Sequence, residues 1–143
     1  MNNLTYMRVI SKYDEDIPKL MEIYQTPEIL SHIHISDNYW YYISNTTNVY
    51  FYKIYDDELI GSIHLETYND ILFMDIVIFP KYQKMGFGTT VIKDIQNDIF
   101  ELHYKKIEIS IDETNVASIN LYKKAGFEYL SKNDELLNFV YLK

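Results

Sequence analysis

Ile76-Val77-Ile78-Phe79-Pro80-Lys81-Tyr82-Gln83-Lys84-Met85-Gly86-Phe87-Gly88-Thr89 is the stretch on which the fold turns. A continuous apolar run rich in β-branched residues reads as a buried strand, and Pro80 ends it. Past Gly88, apolar residues return at Val91, Ile92, Ile95 and Ile99, which is helical spacing. A strand, a glycine-bearing loop and a helix in that order form an anion cradle: free N–H groups and the positive end of the helix dipole meet at the helix N-terminus and favour a phosphate. Glycine at 86 and 88 lets such a group approach the backbone with no Cβ in the way. The same two glycines also suit a plain strand-to-helix turn.

Upstream of this stretch lie strand-like runs over 48–55, 59–67 and 71–79, separated by short polar breaks at Asp56-Asp57 and Asn69-Asp70. Breaks that short predict an antiparallel meander. Before it, Tyr6, Arg8 and Ile10 alternate as in a strand, and Ile17, Leu20, Met21 and Tyr24 recur as in a helix with Pro18 in its first turn. A further helix is expected over 37–43, capped by Asp37 or Ser36. Downstream, Ile107, Ile109 and Ile111 predict a strand, residues 115–125 a helix closed by Gly126 in the left-handed conformation, and residues 127–131 and 137–142 two last strands. No repeat, low-complexity linker or composition shift divides the chain, so one domain over 1–143 is expected.

Composition bounds the function classes. With 143 residues, 48% apolar and 24% charged, the chain reads as globular and large enough to bury a core without a metal or disulfide staple. No run approaches the roughly 20 apolar residues of a membrane span, and the first residues lack a signal-peptide layout, so a cytoplasmic location and no membrane partner are expected. The absence of cysteine excludes disulfides, thiolate metal sites and a cysteine nucleophile. His32 and His34 would share one face of a strand, but no third ligand accompanies them, so no metal is expected. The formal charge of -8 disfavours nucleic acid and leans toward a cationic substrate. Of fifteen tyrosines, many fall between Tyr39 and Tyr55, adding polar-tipped aromatic surface to whatever that stretch lines.

The opening stretch resembles the central signature of the GNAT superfamily of N-acetyltransferases: Gln or Arg, two residues, Gly, one residue, then Gly or Ala, matched by Gln83, Gly86 and Gly88 after a hydrophobic-x-Pro at Ile78-Phe79-Pro80. A second segment, Asn115-Val116-Ala117-Ser118-Ile119-Asn120-Leu121-Tyr122-Lys123-Lys124-Ala125-Gly126-Phe127, resembles the family's Asn-x-x-Ala/Ser-x-x-Leu-Tyr-x-x-x-Gly-Phe. Taken singly, these residues also have ordinary structural readings: Asn115 as an N-cap, Leu121 and Ala125 as a buried helix stripe, Tyr122 as a core aromatic and Gly126 as a C-cap. The two signatures in order, about one strand apart, carry the resemblance, which is good from about Leu59 to Tyr129 and faint before residue 48.

The resemblance implies an α/β (mixed α+β) fold, with a central mixed sheet of six to seven strands flanked by about four helices. It also implies acetyl-CoA as co-substrate and direct acetyl transfer to an amine in a ternary complex. By resemblance, the main chain of Ile76, Val77 and Ile78 takes the pantetheine arm. Gln83, Lys84, Met85, Gly86, Phe87, Gly88 and Thr89 belong to the signature loop that holds the pyrophosphate, Asn115 contacts the coenzyme or an ordered water, and Tyr122 lies near the sulfur as general acid. The N–H of Ile78 is the expected oxyanion donor. In some family members a glutamate on the strand before the second signature is the general base, but Ser110 stands at the nearest position. Glu66 is the favoured substitute; His64, Asp75, Glu108 and a bound water remain alternatives. The expected acceptor is a primary amine of a small molecule. A protein N-terminal or lysine acetyltransferase and a catalytically silent acyl-CoA-binding module are the rival readings. The oligomeric state stays open, a homodimer included.

Overall fold

A computed structural model describes residues 3–30 and 35–143; His32 and His34 lie outside the described residues. In chain order the elements are β1 (Thr5–Arg8), α1 (Ile17–Tyr24), α2 (Pro27–Leu30), α3 (Tyr39–Asn45), β2 (Val49–Asp56), β3 (Glu58–Tyr68), β4 (Ile71–Ile78), a 3-10 turn (Pro80–Tyr82), α4 (Phe87–Gln96), β5 (Lys106–Asp112), α5 (Val116–Lys124), β6 (Glu128–Asn133) and β7 (Leu136–Leu142). The seven strands form one sheet in the order β1-β2-β3-β4-β5-β7-β6. Every neighbouring pair is antiparallel except β4 and β5.

The predicted meander is β2-β3-β4. Its second turn is a two-residue connection in which Asn69 and Asp70 both have positive φ (49° and 65°), the backbone twist that matches a right-handed hairpin. Two apolar layers sandwich the sheet. On one face Ile63, Leu65, Leu72, Met74, Ile107, Ile109 and Phe139 pack with Val91, Ile92 and Ile95 of α4 and Tyr122 of α5. On the other, Val49, Phe51, Val77 and Phe79 pack with Leu20 and Tyr24 of α1 and Trp40 and Ile43 of α3. The buried ammonium of Lys53 on β2 ties down the start of α1, meeting Asp14 at 2.9 Å and Asp16 at 2.7 Å.

Three local expectations are corrected. The helix after the glycine loop ends at Gln96 with Asn97 as C-cap, and Asp98 turns the chain at φ 52°, leaving Ile99 half exposed outside the helix. The helix capped by Asp37 or Ser36 instead begins at Tyr39 with Asn38 as N-cap. The short α2 has no counterpart in the sequence reading, because four residues carry too little periodicity to register.

Candidate active site

The site starts from a parting of strands. β4 and β5 pair in parallel only through Ile71, Leu72 and Phe73 with Lys106, Ile107 and Glu108. Beyond that point β4 stays paired with β3 as far as Ile78–Gly61, and β5 with β7 as far as Asp112–Leu136. One edge of β4 is therefore without a strand partner there. The Phe79 N–H bonds the Ile60 carbonyl at 2.9 Å. Strand alternation then turns the main-chain groups of Ile76 and Ile78 into the gap and those of Val77 back toward β3. The Val77 side chain is buried under α1 and α3. Of the three residues expected to meet the pantetheine arm, Ile76 and Ile78 thus face the gap through their main chain and Val77 does not. Gln83 reaches the Ile78 carbonyl from the loop with its Nε2 at 2.9 Å, strapping the loop to the strand end.

Gly86 is the N-cap of α4 at φ 87°, a left-handed conformation that L side chains rarely adopt, and a Cβ there would project into open space. Phe87, Gly88 and Thr89 follow as the first helical residues, with N–H groups that have no preceding helical carbonyl to bond. The Phe87 side chain is buried, so only its main chain is offered, while Lys84, Met85 and Thr89 are exposed. Gly88 has a packing neighbour as well. A Cβ there would come within 3.2 Å of Leu121 Cδ2, so its missing side chain lets α4 pack against α5.

In α5, Asn115 is the N-cap, its Oδ1 accepting from the Ser118 N–H at 3.3 Å. The helix closes as expected at Gly126, φ 95°: the Phe127 N–H bonds the Tyr122 carbonyl and the Gly126 N–H the Lys123 carbonyl, both at 3.1 Å. Tyr122 is buried against Phe127. Burial, then the negative charge of Asp75, push its phenol above the ordinary tyrosine value, so it keeps its proton.

Beside the gap, on the sheet face that carries α1 and α3, lies an open cleft of about 290 Å³ lined by His64, Glu66, Phe73, Met74, Asp75, Glu108, Ile109, Ser110 and Asn138. Strand register explains the gathering. His64 stands opposite Asp75, Glu66 opposite Phe73, Phe73 beside Glu108, and Ser110 opposite Asn138, so their side chains share one face. Every base candidate raised from the sequence is thus in one cleft. Glu66 Oε1 accepts from Tyr42 Oη at 2.8 Å and meets His64 Nε2 at 2.8 Å. His64 Nδ1 is 2.5 Å from Tyr39 Oη. Glu108 is paired with Lys106 at 3.1 Å. Ser110 Oγ donates to Asn138 Oδ1 at 2.6 Å.

Among the described residues the Asp75 carboxylate makes no hydrogen bond. Its surface opens to the cleft, yet protein surrounds it at short range on the other sides. That burial, with the negative charge of Glu66, outweighs the opposing influence of His64 and raises its pKa. Its charge is felt by Tyr24, Tyr39 and Tyr122 alike. Tyr39, Tyr42, Phe73 and Asn138 were not singled out from sequence. The tyrosine-rich stretch from Tyr39 was the one signal for the first two; nothing local marks Asn138.

Comparison with known proteins agrees with this geometry. Residues 17–127 match the Acetyltransferase (GNAT) family. The chain is 27% identical over 123 residues to spermine/spermidine N(1)-acetyltransferase of Bacillus subtilis, covering 71% of this chain and 81% of that protein. It is 26% identical over 73 residues to thialysine N-epsilon-acetyltransferase of Mus musculus, a match that takes in 51% of this chain and only 43% of the mouse protein's length. A crystal structure of spermidine N-acetyltransferase from Vibrio cholerae, in complex with CoA and spermine, superposes with a TM-score of 0.80 at 18% identity over 97% of this chain and 95% of that one. The family match spans most of the chain and contains the strand gap and both signature segments, so the chain belongs to the Acetyltransferase (GNAT) family, N-acetyltransferases that use acetyl-CoA.

Proposed function

We propose that the chain acetylates a primary amine of a small cationic molecule, in a ternary complex and by direct attack. One observation carries this reading: the cleft beside the β4 gap is lined by Glu66, Asp75 and Glu108 and by no lysine or arginine. A site so charged attracts an ammonium group, and a volume of about 290 Å³ is near the lower end of the ~300–1,000 Å³ typical of small-molecule sites. The naming of the Bacillus subtilis relative for spermine and spermidine points the same way.

The donor half of the site supports acetyl-CoA. The open space at Gly86 and the helix N–H groups of residues 87–89 suit its pyrophosphate, and the Ile76 and Ile78 main chain suits its pantetheine amides. Bound there, acetyl-CoA supplies a thioester carbonyl carbon. Attack needs a neutral amine, so a proton must leave the nitrogen.

Asp75 suits that task better than Glu66, the residue favoured from sequence. Its raised pKa brings it nearer working pH and its carboxylate makes no hydrogen bond among the described residues, whereas that of Glu66 already accepts two. Glu66 then holds the ammonium. The Ile78 N–H stabilises charge building on the carbonyl oxygen. Tyr122, kept protonated, donates to the departing sulfur as the carbon–nitrogen bond forms and the carbon–sulfur bond breaks.

The test is a panel of small amines run beside a panel of peptides, followed by coenzyme release, with Asp75→Asn in parallel. Small cationic amines should be turned over and peptides not, and the variant should lose about 10²- to 10⁴-fold in kcat/KM. Preferential turnover of peptides would overturn the acceptor assignment. An unchanged rate in the variant would remove Asp75 as base.

A further inference from the structure

His64 sits in a frame that fixes where its proton lies. Its Nε2 meets Glu66 Oε1 at 2.8 Å and its Nδ1 meets Tyr39 Oη at 2.5 Å. Tyr42 Oη donates to the same Glu66 oxygen at 2.8 Å. The ring lies between the tyrosines, tilted 31° to Tyr39 and stacked at 22° on Tyr42, with Phe51 edge-on. A carboxylate oxygen can only accept, so Nε2 must carry a hydrogen. In the neutral ring Nδ1 is then an acceptor and Tyr39 the donor. Tyr39 is suited to it: burial, then the charges of Tyr24, Asp75 and Glu66, push its phenol far above the ordinary value. The hydrogen bonds run in one direction, from Tyr39 through His64 to Glu66, and Tyr42 meets them there.

Both donors converge on Oε1, and among the described residues no hydrogen bond reaches Glu66 Oε2. The groups facing His64 are Glu66 from its own strand, Asp75 from β4, and Tyr39 and Tyr42 from α3, with apolar Phe51 on β2. The frame therefore leaves one carboxylate oxygen free and holds the other still, and α3 supplies the outer members.

We propose that Tyr39 is a positioning residue for the acceptor amine: by holding His64 in its Nε2–H tautomer it orients Glu66 so that Oε2 is presented to the ammonium group of the substrate. This rests on the reading of the cleft as an amine site. Tyr39→Phe is the sharp variant, because the phenylalanine ring keeps the edge contacts with Trp40 and Phe51 at 5.0 and 6.1 Å and loses only the hydroxyl.

The experiment has two arms. Nitrogen-15 NMR of histidine-labelled protein, with the His64 resonances identified by their loss in His64→Gln, reads the tautomer with no substrate present. The wild type should show Nε2–H alone, and Tyr39→Phe a mixture of tautomers. Steady-state kinetics with spermidine as probe should show its KM rising about 5- to 30-fold in Tyr39→Phe, as expected for losing one hydrogen bond that orients a charged group. The KM for acetyl-CoA and the melting temperature should be nearly unchanged. Nδ1–H or imidazolium as the wild-type form overturns the proposal, as does an unchanged spermidine KM, or a fall in kcat and melting temperature with KM intact. If the wild type acetylates none of the small amines of the panel while the tautomer is as stated, the amine-site reading fails and the proposal's catalytic half fails with it; the hydrogen-bond frame stands on the NMR alone.

Discussion

The two sides of β4 are built from different materials. The gap side offers main-chain groups: the Ile76 and Ile78 amides, the left-handed Gly86 and the first N–H groups of α4. The cleft side offers side chains from α3, β3, β4, β5 and β7 that meet only across strands. Main-chain recognition needs a backbone path, which a few glycines and a proline impose from within one short segment. Side-chain recognition needs residues placed by register, so it can change one side chain at a time while the backbone persists. On the proposed reading, the gap side suits a single constant ligand and the cleft side a variable one.

The largest effect is expected at Tyr122, the proton donor of the proposed mechanism. Tyr122→Phe should lower turnover by about 10²- to 10⁴-fold while leaving acetyl-CoA affinity nearly intact, because in the proposed mechanism the phenol acts mainly as the sulfur departs. The loss should shrink with an acyl donor whose thiol leaves more easily. Turnover and melting temperature measured on one preparation decide it: a purely structural tyrosine would cost stability and spare the rate per folded molecule.

A main-chain site should resist most side-chain changes but fail at the position whose conformation it depends on. Gly86→Val puts a β-branched side chain at φ 87° and a Cβ where the approach is now open. Left-handed strain of roughly 1–3 kcal/mol predicts an acetyl-CoA affinity about 10- to 100-fold weaker, together with a smaller ligand-induced rise in melting temperature. Lys84→Ala, an exposed side chain in the same loop, should change affinity far less. Calorimetric titration of both variants tests the contrast, and equal losses would show that side chains carry the donor site after all.

The smallest effect concerns the stability cost of the cleft side. Asp75 has a folded-state pKa above the unfolded value of about 4, so it favours folding below that value, and this contribution is lost as pH rises through the raised pKa. Asp75→Asn removes the ionisation. The variant should match the wild type in acid and exceed it above that window, by about 1–3 °C in melting temperature at neutral pH since the residue is open to the cleft. Melting curves across pH 3–8 check this, and a variant less stable than the wild type at neutral pH would mean that the carboxylate is held by contacts rather than strained.

How legible these sides were follows from the same contrast. The meander, the cradle and the closing glycine of α5 could be read because each depends on neighbours in sequence: alternation, Asn69-Asp70 at a two-residue turn, and Gly126 after a helical stripe. That Gly88 also lies against Leu121 could not be read, because only packing shows Leu121 beside it. Glu66 and Asp75 were both named as candidates, as carboxylates on neighbouring strands. Which of them was free depended on Tyr42 and His64, the former 24 residues away in sequence.

By itself the sequence determined the element order apart from the short α2, the strand-loop-helix cradle and the family, because a main-chain site is written in contiguous residues whose conformational limits are local. The tertiary structure alone decided that β4 and β5 part after three pairs, that Val77 turns from the gap, and that α3 lends its tyrosines to His64 and Glu66. These are matters of register and of packing between distant segments, where one residue of slip would turn every side chain to the other face.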